Sequence, residues 1–119
     1  MKEKINNCAF ILPVYNESKR ISNLENWISW HKLNTVNSEL ILSLNGCKDN
    51  TLILAKEFKY SDLIIIENKK RGRGYAIIDA LKFTSKPLAC IASLDNAWDR
   101  KFYKSAYDIL DKQFEKIER

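Results

Sequence analysis

Four cations, Lys69, Lys70, Arg71 and Arg73, crowd into five residues just before a stretch of helical spacing. A cluster of that kind suits an anion, and a helix starting near Gly74 would aim oriented backbone N–H groups at the same anion. Nucleic-acid binding is disfavoured, because it calls for aromatics interleaved with the basic residues and none falls between Asn68 and Gly74. Two common phosphate sites are also absent. The segment Pro13-Val14-Tyr15-Asn16-Glu17 has no glycine and cannot make a GxGxxG turn. Gly72 and Gly74 flank Arg73, but no glycine stands at Walker spacing before a Lys followed by Ser or Thr. Cys8, Cys47 and Cys90 are widely spaced and His31 is the sole histidine, which argues against a zinc site or a disulfide framework. Cys8 and Cys90 lie in apolar runs and are expected to be buried thiols.

The elements that must position these residues follow from periodicity. Four nearly continuous apolar runs, Asn7–Leu12, Glu39–Leu44, Asp62–Glu67 and Leu88–Leu94, read as strands buried on both faces of a parallel sheet. Between and after them come helical stretches. Ile21, Leu24, Ile28 and His31 share one face, Asp49, Asn50 and Thr51 cap Leu52–Phe58, and Tyr75–Phe83 and Phe102–Phe114 complete the set. The order βαβαβαβα predicts a three-layer αβα fold with a mostly parallel sheet of about four strands. Right-handed crossovers place helices on both faces and bring the loops after the strands to one edge. Those loops, Pro13–Lys19, Asn45–Asn50, Asn68–Gly74 and Asp95–Arg100, hold nearly every unusual residue.

Length and charge bound the rest. The 119 residues allow one domain, since two halves would each lack a sufficient core. Three Gly, two Pro and 45% apolar residues exclude a disordered chain, and no apolar run approaches a membrane span or a signal-peptide core. A cytoplasmic location, or the periphery of a membrane, is expected. A net charge of +5 and a pI of about 9.1 favour an anionic partner.

The loops resemble the nucleotide-sugar half of the inverting family-two glycosyltransferases of GT-A fold, nearest to the dolichyl-phosphate mannose synthase type. Phe10 to Glu17 looks like the family's opening strand and P-x-Y-N-E turn. Leu42 to Thr51 looks like its D-[DN]-G-[SC]-T-D-x-T element, and Asn68 to Ala76 like its N-x-G-K-G-x-A stretch. Ile91 to Ala97 falls where the D-x-D motif ends a strand. The likeness spans about Asn7 to Leu110. It implies a nucleotide-diphosphate sugar, UDP- or GDP-linked, held by Pro13, Tyr15, Asn16, Glu17, Asn45, Lys70, Arg71, Arg73 and Asp95. Pro13 and Tyr15 would wall the base, Glu17 and Asn45 bond base or ribose, the cations neutralise diphosphate, and Asp95 face ribose or metal.

Three departures from the family pattern matter. The second D-x-D position is Ala97, which offers no oxygen to Mn²⁺ or Mg²⁺, leaving Asp95 and Asp99 as the candidate metal ligands. Asn45 stands where the family often has an acid, which weakens base selection by on the order of 1 kcal/mol. A full GT-A catalytic domain is about twice as long, and its second half supplies the acceptor site and general base. The late carboxylates Asp108, Asp111, Glu115 and Glu118 read as a surface helix, so the catalytic base is not identified. The expectation is therefore a donor-binding domain that lacks the acceptor half. Its acceptor would be a lipid phosphate or another acceptor, and its base would come from a second subunit or another segment. The open edge at Leu88–Leu94 offers a route to a homodimer. The alternative is a non-catalytic, degenerate GT-A-like binding or regulatory module. Trp27, Trp30 and His31 are expected to pack the core, and Trp98 either closes over the sugar or covers the last helix.

Overall fold

The computed structural model describes residues 4–95 and 100–118. Its elements in chain order are β1 (Ile5–Asn6), β2 (Cys8–Val14), α1 (Asn23–Asn34), β3 (Thr35–Val36), β4 (Glu39–Asn45), α2 (Thr51–Ala55), β5 (Leu63–Asn68), α3 (Arg73–Phe83), β6 (Leu88–Ile91) and α4 (Lys101–Glu118). The main sheet is fully parallel in the order β5-β4-β2-β6. The predicted α/β architecture holds, with one addition: β1 and β3 form a separate two-residue parallel pair.

Crossover handedness explains the layers. The chain steps outward from β2 to β4 to β5, so α1 and α2 fall on one face; it then returns past β4 and β2 to β6, which puts α3 on the other. Side-chain alternation agrees. Phe10, Leu12 and Val14 of β2 pack with Leu24, Trp27 and Ile28 of α1, Ala55 of α2 and Tyr103 of α4. Ala9, Ile11 and Ile41 pack on the opposite face with Ala80 of α3. Phe10 centres an aromatic cluster, edge-on to Trp30 at 5.4 Å and to His31 at 5.8 Å between ring centroids. Trp27 is fully buried and donates its Nε1–H to the Ser93 carbonyl at 3.0 Å. Both Trp27 and His31 thus belong to the core, and Trp30 packs against it half-buried.

Burial on both faces holds for the central strands β2 and β4 but not for β5 and β6, which are edge strands and only partly covered. Cys8 is buried, whereas Cys90 on the edge is half-buried. Burial pushes the Cys90 thiol up to about 11, and burial together with Cys90 pushes Cys8 to about 12. The last strand stops at Ile91 instead of Leu94. Ala92 N–H still bonds the Ile11 carbonyl at 2.8 Å, but the Ser93 carbonyl is taken by Trp27, and the chain leaves the sheet. Helix α2 is shorter than predicted because its last residues, Glu57 and Phe58, make the tighter i to i−3 bonds. Among the described residues no helix is long and apolar enough to cross a membrane.

Candidate functional site

The parallel sheet brings the loops after β2, β4 and β5 to one edge, and side chains lace them together. Asn16, at φ 47°, accepts from the backbone N–H groups of Lys48 at 2.8 Å and Asp49 at 3.3 Å. Its own N–H meets Cys47 Sγ at 3.4 Å. Glu17 N–H donates to Thr51 Oγ1 at 3.0 Å, and Ser18 N–H to Asp49 Oδ2 at 3.2 Å. Asp49 Oδ1 also accepts from Thr51 N–H, so this carboxylate caps α2 from one residue before the assigned cap, Asn50, which makes no capping bond. Desolvation acts to raise the Asp49 pKa, but the bonds from Thr51 and Ser18 win and lower it. Burial raises the Cys47 thiol.

The third loop is fixed to the second by backbone approach. Gly46 N–H donates to the Asn68 carbonyl at 2.6 Å, and Gly46 takes φ 66°. A Cβ there would stand 3.1 Å from Arg71 Cα and N, so only glycine lets Arg71 come this near. Asn68 accepts from Lys70 N–H at 2.8 Å and bonds Asp79 through its amide, while Asn45 Oδ1 accepts from Gly72 N–H at 3.5 Å. Held this way, the Arg71 guanidinium lies 4.5 Å from the Tyr15 ring centroid. Helix α3 opens at Arg73 behind Gly72 (φ 145°) with no side-chain cap, leaving first-turn N–H groups for a ligand.

A cleft of about 340 Å³ results, lined by Pro13, Tyr15, Glu17, Asn45, Arg71, Gly72 and Arg73. Such a volume is in the range of small-molecule sites. Six of the nine residues named from the sequence line it. The other three do not. Asn16 spends its oxygen on the neighbouring loop. Lys70 turns away, its ammonium 5.3 Å over the Tyr75 ring. Asp95 follows β6, is exposed, and accepts from Ser93 Oγ at 2.6 Å. Its charge reaches Arg20, which is paired with Glu17 at 2.9 Å, so Asp95 stands at the Glu17 side of the same edge. Gly72 was missing from the sequence-based set; its place between two arginines before a helix was the available signal.

Asp99, Ala97 and Trp98 lie outside the described residues. Among the described residues no three His, Cys, Asp or Glu side chains converge, so the only acidic metal candidate described here is Asp95. One carboxylate does not make a divalent-ion cradle; a ligand's own oxygens would have to complete it.

Residues 9–116 match the family Glycosyl transferase family 2, a span that takes in every element from β2 through most of α4. The chain belongs to glycosyl transferase family 2. No curated protein and no solved structure matches it. Family membership and the parallel sheet together make this the GT-A half-domain that the loop motifs resemble, a glycosyltransferase-type domain.

Proposed function

We propose that the cleft binds a nucleotide-diphosphate sugar, UDP- or GDP-linked, as the donor for inverting glycosyl transfer. The observation that carries this reading is the meeting of an aromatic wall, Tyr15, with two guanidinium-bearing residues, Arg71 and Arg73, and two polar groups, Asn45 and Glu17, in one cleft. The base stacks on Tyr15, Asn45 and Glu17 bond its edge or the ribose, and Arg71 and Arg73 with the α3 N-terminus hold the diphosphate. In the transfer, the acceptor hydroxyl oxygen attacks the anomeric carbon as the bond to the diphosphate oxygen breaks. The diphosphate leaves with the electron pair, and the arginines stabilise its growing charge. The hydroxyl proton passes to a general base. A Mn²⁺ or Mg²⁺ ion, when bound at Asp95 and the ligand's oxygens, would add charge stabilisation. A lipid phosphate acceptor, as in the dolichyl-phosphate mannose synthase type, fits the resemblance; the attacking atom is then an already ionised phosphate oxygen, which has no hydroxyl proton to give up.

The base is proposed to come from a second subunit or another segment. Asp108 is paired with Lys104, and Asp111 lines a niche with Asn6, Asn7 and Pro87, where strands start, at the edge opposite the cleft. The same observation favours the second reading, a non-catalytic binding or regulatory module. Titrating UDP-glucose and GDP-mannose with and without Mn²⁺, then assaying release of UDP or GDP, separates the two. Binding with sugar-dependent turnover supports the transferase, binding without turnover supports the module, and no binding contradicts both.

A further inference from the structure

The residues from Glu67 to Lys86, covering the end of β5, the basic loop and α3, hold six cations against two acids, and so carry +4 of the chain's net +5. Asp79 is already engaged by the Asn68 amide. The ion pairs among the described residues, Arg20–Glu17 and Lys104–Asp108, involve none of the six cations. This charge surrounds an unusual helix. Ala76 and Ala80 face the sheet and are buried, yet the opposite side of α3 is not polar: Tyr75, Ile78 and Leu81 are 48%, 49% and 46% exposed. A surface helix normally turns charge to water on that side. Here Ile78 lies opposite the buried alanines, with Leu81 and Lys82 one turn on, and Lys86 follows the helix.

A second exposed apolar face, on α4, is differently charged. Helix α4 exposes Phe102, Ile109 and Leu110, but its four lysines are balanced by four acids. Helix α3 instead sets aliphatic side chains at its outer surface within the segment that carries most of the net charge. We propose that the outer face of α3, with the basic loop before it, docks on an anionic lipid bilayer. Ile78 and Leu81 enter the acyl boundary while Lys82, Lys86 and the loop lysines Lys69 and Lys70 meet the headgroups. Ile78 and Leu81 suit an acyl boundary, whereas RNA would stack on the exposed Tyr75 ring and gain nothing from the two aliphatic side chains. Because Arg73 both opens α3 and lines the cleft, docking sets the cleft mouth beside the membrane. The inference does not depend on what the cleft binds.

Cosedimentation of the chain with phosphatidylcholine vesicles, plain or mixed with phosphatidylglycerol, tests it. Binding is expected only with phosphatidylglycerol, and it should fall with rising salt. Each cation near such a surface is worth about fivefold in affinity, so Lys82→Glu with Lys86→Glu should weaken binding by at least about tenfold. Ile78→Asp with Leu81→Asp should do the same. All four positions lie outside the core, and an unchanged melting temperature confirms folding; the lysine pair carries the test if the aspartates disturb the helix. Equal binding to both vesicles, binding to neither, or full binding by folded lysine variants overturns the proposal. So does displacement of the vesicles by an RNA oligomer that shows the same dependence on Ile78 and Leu81. A UDP and GDP titration of the same variants keeps a failed donor site distinct from a failed docking face.

Discussion

Arg73 is the residue on which the donor reading presses hardest, because it lines the cleft and begins α3 without packing on another ring. A charge-assisted bond to diphosphate is worth about 1.5–3 kcal/mol, so Arg73→Ala should weaken UDP or GDP binding by about ten- to a hundredfold and leave the free nucleoside little affected. Calorimetry on the pair of ligands checks this. His31 makes a prediction of another kind. It is fully buried, its Nδ1 meets Tyr60 Oη, and its Nε2 is without a hydrogen-bond partner among the described residues. Desolvation lowers its pKa against the smaller opposing effects of Asp62 and the Glu39 backbone, while burial, then Asp62, pushes Tyr60 up to about 12. The unfolded chain, with an ordinary histidine near 6.5, therefore binds the proton more readily than the folded one. Stability due to this group is whole above about pH 6.5 and declines as pH falls toward the lowered folded value, with a limiting slope of about 1.4 kcal/mol per pH unit. Thermal melts between pH 7.5 and 5.5 should show that decline, and His31→Phe should flatten it. The burial of His31 was legible from its helical face. The role of Asn16 was not, since the N–H groups it accepts from belong to Lys48 and Asp49, more than thirty residues on.

At the scale of elements, the parallel sheet and the edge where its loops gather were readable from four apolar runs and the handedness of crossovers, while the strand order β5-β4-β2-β6 was not. The stopping point of β6 was not. Ser93 and Leu94 continue the apolar composition, but Trp27 Nε1 captures the Ser93 carbonyl, a tertiary contact invisible to local pattern. Nor could charge alone separate Lys70 from Arg71. The two are adjacent and alike, and the choice is made by Gly46, whose missing Cβ admits the Arg71 backbone and so sets its guanidinium over Tyr15. Gly46→Ala should therefore cost about 1–3 kcal/mol, from the left-handed φ and the 3.1 Å approach, and should loosen the loop after β5. A denaturant midpoint shift, together with weaker nucleotide binding, is the expected result. Ser43→Ala is a milder test of how α3 is held, since its hydroxyl donates to the Ala76 carbonyl at 2.8 Å from a buried position. About 1 kcal/mol should be lost with the cleft unaffected.

For the whole molecule, the parts divide by edge and by face. The cleft occupies the edge where strands end, the described late carboxylates Asp108 and Asp111 sit on α4 away from it, and most of the net charge lies on the α3 side. That division fits the proposal that the cleft holds a donor while the base for transfer is supplied by a second subunit or another segment. The central claim is donor binding, and its most direct test is calorimetric titration of UDP, GDP and their sugar conjugates into the purified chain, with and without Mn²⁺, beside Arg73→Ala and Asp95→Ala. The account predicts binding selective for one nucleotide, weakened at least about tenfold by Arg73→Ala, with any tightening by Mn²⁺ lost in Asp95→Ala. Folded protein that binds none of these ligands, or that binds them equally well without Arg73, would contradict it.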